Sequence, residues 1–262
     1  MKTSNRSLLT VFAFILLFLT FGCGASQARQ TVNELSDADY AQQRQKLKTL
    51  LQENLNYLEE MPQYEVIYSH GSLKDVRIFF FTDVHSSVDD DLLFGHYVSK
   101  NAQLSDIVLL ESWPSMQQIL NDRSYKTLLL PDKITVMGWD DMEKQKIAKN
   151  GFKKLFALIE ESKQTTNQEE KDRITKICNK LHNHAMTVAV IERNNVMFET
   201  IQKVVEKYPL SKIFVSLGRD HLLDRQLIEN IENRYNFAVL ETWASNNMVM
   251  SPEEYSRKVL ED

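Results

Sequence analysis

Arg77-Ile78-Phe79-Phe80-Phe81-Thr82-Asp83-Val84-His85-Ser86-Ser87 is the stretch on which the fold is decided. The unbroken apolar residues Ile78, Phe79, Phe80 and Phe81 suit a strand buried on both faces, the habit of parallel sheets covered by helices on each side. The far end of the stretch is polar. Ligands of open α/β sheets gather outside the carboxyl ends of the strands, so Thr82, Asp83 and His85 stand where a site would form. The competing reading is a loop whose Asp and Ser cap the next helix.

The same pattern recurs downstream. Asp106-Ile107-Val108-Leu109-Leu110-Glu111 predicts a second buried strand ending in an acid, after which Trp113-Pro114 turns the chain. Ile134-Thr135-Val136-Met137-Gly138-Trp139-Asp140-Asp141 predicts a third, with Asp141 placed to cap a helix running through Ile147, Phe152, Leu155, Phe156 and Ile159. Ile213-Phe214-Val215-Ser216-Leu217 predicts a fourth that runs into Gly218-Arg219-Asp220-His221, and Phe237-Ala238-Val239-Leu240-Glu241 a fifth. Weak alternation over residues 64–69 fits an edge strand ahead of the first.

Helical periodicity fills the intervals. Residues 88–100 predict a helix with Asp89, Asp90 and Asp91 in its first turn, where they favour the helix dipole. Their spacing lacks the central Gly and terminal Glu of an EF-hand, so they read as caps rather than ligands. Residues 162–170 predict a loop or exposed helix end, residues 174–208 two helices or one bent one, and residues 223–232 a last helix. Strands alternating with helices predict an α/β domain with a mainly parallel sheet and helices on both faces.

The chain opens with Lys2 and Arg6 before an apolar run over residues 8–21, the layout of a secretory signal peptide and short for a membrane span. Two exits follow. Gly22-Cys23 resembles the end of a bacterial lipobox, which would leave Cys23 as a lipidated first residue anchored in a membrane; Ser26-Gln27-Ala28 offers ordinary cleavage instead. The lipoprotein route is preferred, an uncleaved anchor is the remaining alternative, and in every case the domain is exported. The expected organisation is a signal segment over 1–28, a helical segment over 29–62 and the α/β domain over 63–262. Within the second, Leu47, Leu50, Leu51, Leu55 and Leu58 predict an amphipathic helix over 36–60, ended by Pro62.

With 262 residues, 43% of them hydrophobic, the chain can bury a sizeable core. A net charge of -5 and the lack of a basic stripe interleaved with aromatics argue against nucleic acid as a partner. Once Cys23 is lipidated or removed, Cys178 has no disulfide partner, and its place on an apolar helical face with Ile174, Ile177 and Leu181 reads as a buried structural thiol. His182 and His184 are two apart and point to different helix faces, so they read as surface or packing residues. His70 and His96 lack partners in the sequence and are read as structural.

Four predicted strand ends carry His85, Glu111, Asp140 and His221, and in a parallel sheet these ends open on one edge. Two imidazoles with carboxylates suit a divalent metal such as zinc or manganese, with positions left for water. They equally suit metal-free chemistry in which a His takes a proton from water while a carboxylate orients it. Taken singly each is more often structural; the shared placement makes them a candidate site.

These motifs resemble the superfamily that groups the TIKI and TraB metal-dependent hydrolases, the erythromycin esterases and the ChaN-like haem-binding lipoproteins. Its members carry two Gly-x-x-His motifs, a Glu ending a buried strand and an Arg on a late helix. Gly218-Arg219-Asp220-His221 matches the second motif, Thr82-Asp83-Val84-His85 has the first motif's His with Thr in place of Gly, Val108-Leu109-Leu110-Glu111 is similar to the strand with Glu, and Glu192-Arg193-Asn194-Asn195-Val196-Met197 to the helix with Arg. The likeness spans residues 77–243. It implies a hydrolase of a peptide or small-molecule ester in which His85, Glu111 and His221 bind a metal or activate water and Arg193 clamps a carboxylate or steadies a developing oxyanion. It equally implies a non-catalytic alternative, a haem- or metal-binding lipoprotein with His85 or His221 as ligand.

Asp83-Val84-His85 also copies the opening Asp-x-His of calcineurin-like metallophosphoesterases. The rest of that pattern does not follow: Leu110-Glu111 stands where its Gly-Asp belongs, and its Gly-Asn-His and Gly-His-x-His are missing. No phosphate-binding or dinucleotide Gly pattern occurs in a chain with 7 Gly.

Overall fold

The computed structural model describes residues 63–83, 88–119 and 125–242, with scattered residues between 42 and 59. Among these residues the strands are β1 (Tyr64–His70), β2 (Ile78–Asp83), β3 (Ile107–Pro114), β4 (Thr135–Asp140), β5 (Ile213–Gly218) and β6 (Phe237–Thr242). They form one sheet in the spatial order β1-β6-β2-β5-β3-β4. All neighbours from β6 to β4 pair in parallel, and β1 closes one edge antiparallel to β6. The helices are α1 (Val88–Asn101), α2 (Met142–Gln164), α3 (Gln168–Met186), α4 (Arg193–Lys207) and α5 (Arg225–Glu232).

Because side chains alternate along a strand, the apolar runs feed two cores at once. On one face Ile78, Phe80, Ile107, Leu109 and Val215 meet Met197, Ile201 and Val204 of α4 and Leu227, Ile228 and Ile231 of α5. On the other, Phe81, Val108, Leu110 and Phe214 meet Leu93, Phe94 and Val98 of α1 and Ile119, Leu130 and Ile134 of the β3–β4 connection. This is the predicted α/β architecture with helices on both faces. Steps from β2 to β3 and β3 to β4 move one way across the sheet on the α1 face. Steps from β4 to β5 and β5 to β6 move back on the other face, as a uniform crossover hand requires. Phe81 is fully buried, edge-on to Tyr64 and Phe94. Phe81→Ala is therefore expected to cost about 3–5 kcal/mol in chemical denaturation.

Several predicted boundaries move. Trp113-Pro114 does not turn the chain out of the sheet, and Glu111 is not the last residue of its strand: β3 continues to Pro114 after a register shift, with Ser112 at φ 68°. The partner strand makes this possible. The carbonyl oxygens of Trp113 and Pro114 lie where a Cβ on Gly138 would be. Gly138→Ala would push this segment off β4 and is expected to cost about 1–3 kcal/mol by urea denaturation. Downstream, residues 165–167 alone interrupt the helices, because Asn167 accepts from the Glu169 and Glu170 N–H groups and starts α3 early. From Gln168 onward α3, a π-turn (Thr187–Glu192) and α4 form one continuous helical run. The last predicted helix begins with a 3₁₀ turn (Arg219–Leu223), and Asp224 caps α5.

Described residues of the predicted 36–60 helix lie on the α1 side: Arg44 donates to Thr127 at 2.8 Å, and Lys48 pairs with Asp132 at 2.8 Å. Glu59 pairs with Lys100 at 2.9 Å. The signal segment with Cys23, and residues 243–262, lie outside the described residues. Among the described residues no helix is long and apolar enough to cross a membrane. Two acids of the first turn of α1 differ: Asp90 is buried and accepts from the Thr242 hydroxyl at 3.0 Å, and Asp91 stands 3.7 Å from Lys126. Cys178 is half-buried rather than buried; among the described residues α3 packs chiefly on α2 and the π-turn.

Candidate active site at the carboxyl edge of the sheet

β5 lies between β2 and β3, so the strands predicted to lead to His85, His221 and Glu111 are neighbours. The chain leaves β5 toward the α5 face and leaves β3 toward the α1 face, which opens a crevice outside their carboxyl ends. Four of the predicted residues meet there: Glu111, Asp140, Arg193 and His221. His85 lies outside the described residues.

Arg193 is the hub. Its Nε donates to Asp140 Oδ1 at 2.7 Å and its Nη2 to Asp140 Oδ2 at 2.6 Å, a two-pronged fork, while Nη2 also reaches Glu111 Oε1 at 2.6 Å. Burial, the largest influence on this guanidinium, acts to lower its pKa; the Asp140 and Glu111 carboxylates outweigh burial and hold the pKa above its ordinary value. The side chains of Arg193, Asp140 and Glu111 are only 7%, 0% and 6% exposed. Two carboxylates against one guanidinium leave a formal excess of one negative charge in the pocket.

Asp140 is saturated. Besides Arg193 it accepts from the Ser112 N–H at 3.0 Å, the Asp141 N–H at 2.7 Å and the Gln145 amide at 3.4 Å. Glu111 is shared differently: its Oε2 accepts the Gly218 N–H at 2.9 Å, and its Oε1 faces His221 Nε2 at 3.5 Å, slightly long for a direct bond.

The tautomer of His221 follows from its neighbours. The Asn194 amide nitrogen donates to the His221 carbonyl at 2.8 Å and to Asp224 Oδ2 at 3.0 Å. Both partners only accept, which fixes the orientation of the amide and points its oxygen at His221 Nδ1, 2.6 Å away. Nδ1 must then carry the hydrogen, and in the neutral ring the lone pair is on Nε2, toward Glu111. Trp139, fully buried, sets its ring edge-on to His221 at 5.2 Å and lies 5.7 Å from the guanidinium of Arg193. A donor to Ser216 O at 3.0 Å holds the indole in place.

Asn194, Trp139, Ser112 and Gln145 were not read as site residues. Asn194 carried a signal, since it stands inside the Glu192-Arg193-Asn194-Asn195 motif. Ser112 and Gln145 carried none, because their roles arise from a strand irregularity and a helix start that only packing brings together. Asp141 does cap α2, accepting from the Glu143 and Lys144 N–H groups at 3.0 Å each. Its pKa is held below the ordinary 3.8, first by the Lys144 N–H. A depressed carboxylate pKa gives stability that is full above the unfolded value and is lost as pH falls through the folded one. Asp141→Ala is expected to cost about 1 kcal/mol at neutral pH, with the difference closing in acid, as thermal melts across pH would read.

Farther along the edge, Thr82 donates to the buried Glu241 at 3.2 Å, and Arg219 pairs with the same carboxylate, tying the turn that bears His221 to β6. The remaining histidines lie away from the crevice. His70 stacks on Phe237, His182 and His184 are exposed, and His96 is buried with its pKa lowered by burial and by Lys100. No family model matches the chain, and neither the curated proteins nor the solved structures contain a match.

Proposed function

We propose that the chain is an exported, lipid-anchored hydrolase of peptide or ester bonds, of the kind its motifs resemble. The observation that carries this reading is the Asn194 contact at His221 Nδ1, which in the neutral ring leaves Nε2, 3.5 Å from Glu111, as the acceptor beside a buried guanidinium. His221 takes a proton from water at Nε2, and Glu111 orients that water. Arg193, held by Asp140, steadies the negative charge that develops on the carbonyl oxygen.

A divalent ion fits part of this donor set. His221 Nε2 and Glu111 Oε1, 3.5 Å apart, are the pair that would hold it, with His85 as the expected third ligand. Asp140 does not fit that role, since five N–H groups already occupy its oxygens. Among the described residues no group of three His, Cys, Asp or Glu side chains is arranged around a common point. A bound zinc or manganese would supply hydroxide at neutral pH.

The test is a panel of peptides and esters with the wild type and the His85→Ala, His221→Ala double variant, beside the metal content of protein purified without chelator. Turnover lost in the double variant supports the reading, and turnover that persists there removes it. Binding of haem or a metal ion without turnover, weakened by the same changes, would instead assign the site to ligand binding. Anchoring is separate: Cys23→Ser should release the protein from membranes, and a mature N-terminus at Arg29 in the unmodified protein would mark ordinary cleavage.

A further inference from the structure

Ser112, directly after Glu111, has φ 68°, a left-handed conformation that glycine adopts freely and serine rarely. Such strained residues gather at working sites, where the surrounding structure can hold them. In a regular strand Ser112 would share the face of Leu110, which packs in the α1 core. The left-handed turn breaks that alternation, and the hydroxyl meets the Gln145 amide of α2 at 2.7 Å.

Lys149 decides which way that bond runs. Its Nζ, which only donates, stands 3.1 Å from Gln145 Oε1. The amide nitrogen of Gln145 is therefore the atom at Ser112, and it donates to Oγ at 2.7 Å and more weakly to Asp140 Oδ2 at 3.4 Å. With a lone pair of Oγ taken, the hydroxyl hydrogen points away from Gln145. No acceptor for it stands among the described residues. Gln145 is buried and Ser112 is exposed, so the hydrogen is offered on the open side. It is offered beside the guanidinium: the Ser112 N–H and Arg193 Nη2 meet on one oxygen, Asp140 Oδ2, at 3.0 and 2.6 Å.

Arg193 itself has little left to give a ligand. Of the N–H hydrogens of its guanidinium, two go to Asp140, one to Glu111 and one to the Ala189 carbonyl, which leaves a single hydrogen on Nη1. It can lend an oxygen its charge and one bond, not the two-pronged grip of an unoccupied guanidinium. We propose that the Ser112 hydroxyl is the further donor: it gives its hydrogen to the carbonyl oxygen of the bound ester or peptide and holds that oxygen as it becomes an oxyanion. A carbonyl oxygen only accepts, which matches a rim whose spare groups are a hydroxyl hydrogen and an N–H. The choice of a carbonyl rests on the hydrolase reading; the direction of the hydroxyl does not.

The test uses a matched pair of probes followed by fluorine NMR: para-fluorophenyl acetate, whose hydrolysis releases para-fluorophenol, and para-fluoroacetanilide, its slowly reacting amide counterpart. Ser112→Gly removes the hydroxyl and relieves the backbone, so its melting temperature should stay close to that of the wild type. It is expected to slow ester turnover by about 10²-fold, the usual loss of one oxyanion donor, and to weaken para-fluoroacetanilide binding about three- to ten-fold. Ser112→Asn tolerates positive φ and carries an oxygen for Gln145 and an N–H for the ligand, so it should restore most of both. Turnover and affinity unchanged in Ser112→Gly overturn the proposal and leave the hydrolase reading standing. A loss that Ser112→Asn does not repair overturns the donor role. Affinity that falls in Ser112→Gly and returns in Ser112→Asn, with no turnover by any form, removes the hydrolase reading and keeps Ser112 as a carbonyl donor. A wild type that neither binds the amide nor turns over the ester overturns both.

Discussion

Arg193→Ala is expected to cost about 3–5 kcal/mol of folding stability, among the largest effects of any single substitution in this chain. The reason is what it leaves behind. Asp140 and Glu111, with side chains 0% and 6% exposed, would keep their negative charges in a buried crevice without the guanidinium that both contact at 2.6 Å. Removing one partner of such a network costs more than the network contributes, because desolvation of the remaining charges is no longer offset. One consequence separates this from simple loss of packing. Arg193→Met combined with Asp140→Asn should be less damaging than Arg193→Ala alone. Urea denaturation at neutral pH reads both variants, and an Arg193→Ala deficit below about 1 kcal/mol would show that the network does not brace the fold.

The second large effect is on chemistry. On whichever peptide or ester the panel identifies, His221→Ala and Glu111→Gln are each expected to lower turnover by about 10²–10⁴, the usual worth of a positioned acid or base. Together they should cost little more than one alone, because residues acting on one water are not additive. Asn194→Leu is a sharper probe. Asn194 is buried, and its loss releases the tautomer of His221, so the change should depress the rate while leaving substrate affinity nearly unchanged. Nitrogen NMR of the imidazole would follow the hydrogen from Nδ1 independently of turnover. A ring that stays protonated at Nδ1 in Asn194→Leu would mean that another contact sets the tautomer.

The placement of the candidate residues was legible because it depends on a short-range rule. A buried parallel strand has an apolar run and a polar carboxyl end, and parallel strands share one edge. That rule, applied to the runs at Ile78, Ile107 and Ile213, sufficed to bring Glu111 and His221 toward one crevice. Asp140 and Arg193 joined them on the strength of a third strand end and a motif on a helix. The relation of Arg193 to Asp140 was not legible, since no local pattern says that a guanidinium 53 residues downstream will fork onto a strand-end carboxylate.

By itself, then, the sequence determined the α/β class, the strands and their common edge, because periodicity and composition act within one or two turns of chain. Tertiary structure alone decided which strands are neighbours, placing β5 between β2 and β3 although 130 residues separate Asp83 from Ile213. It also decided which way each polar side chain spends its hydrogen bonds. The continuation of β3 beyond Glu111 depends on the missing Cβ of Gly138 in another strand. The lone pair of His221 depends on an amide whose orientation is set by Asp224 and a backbone carbonyl. Such choices are made by groups far apart in sequence that must satisfy one another once water is excluded, and only the folded chain brings them within reach.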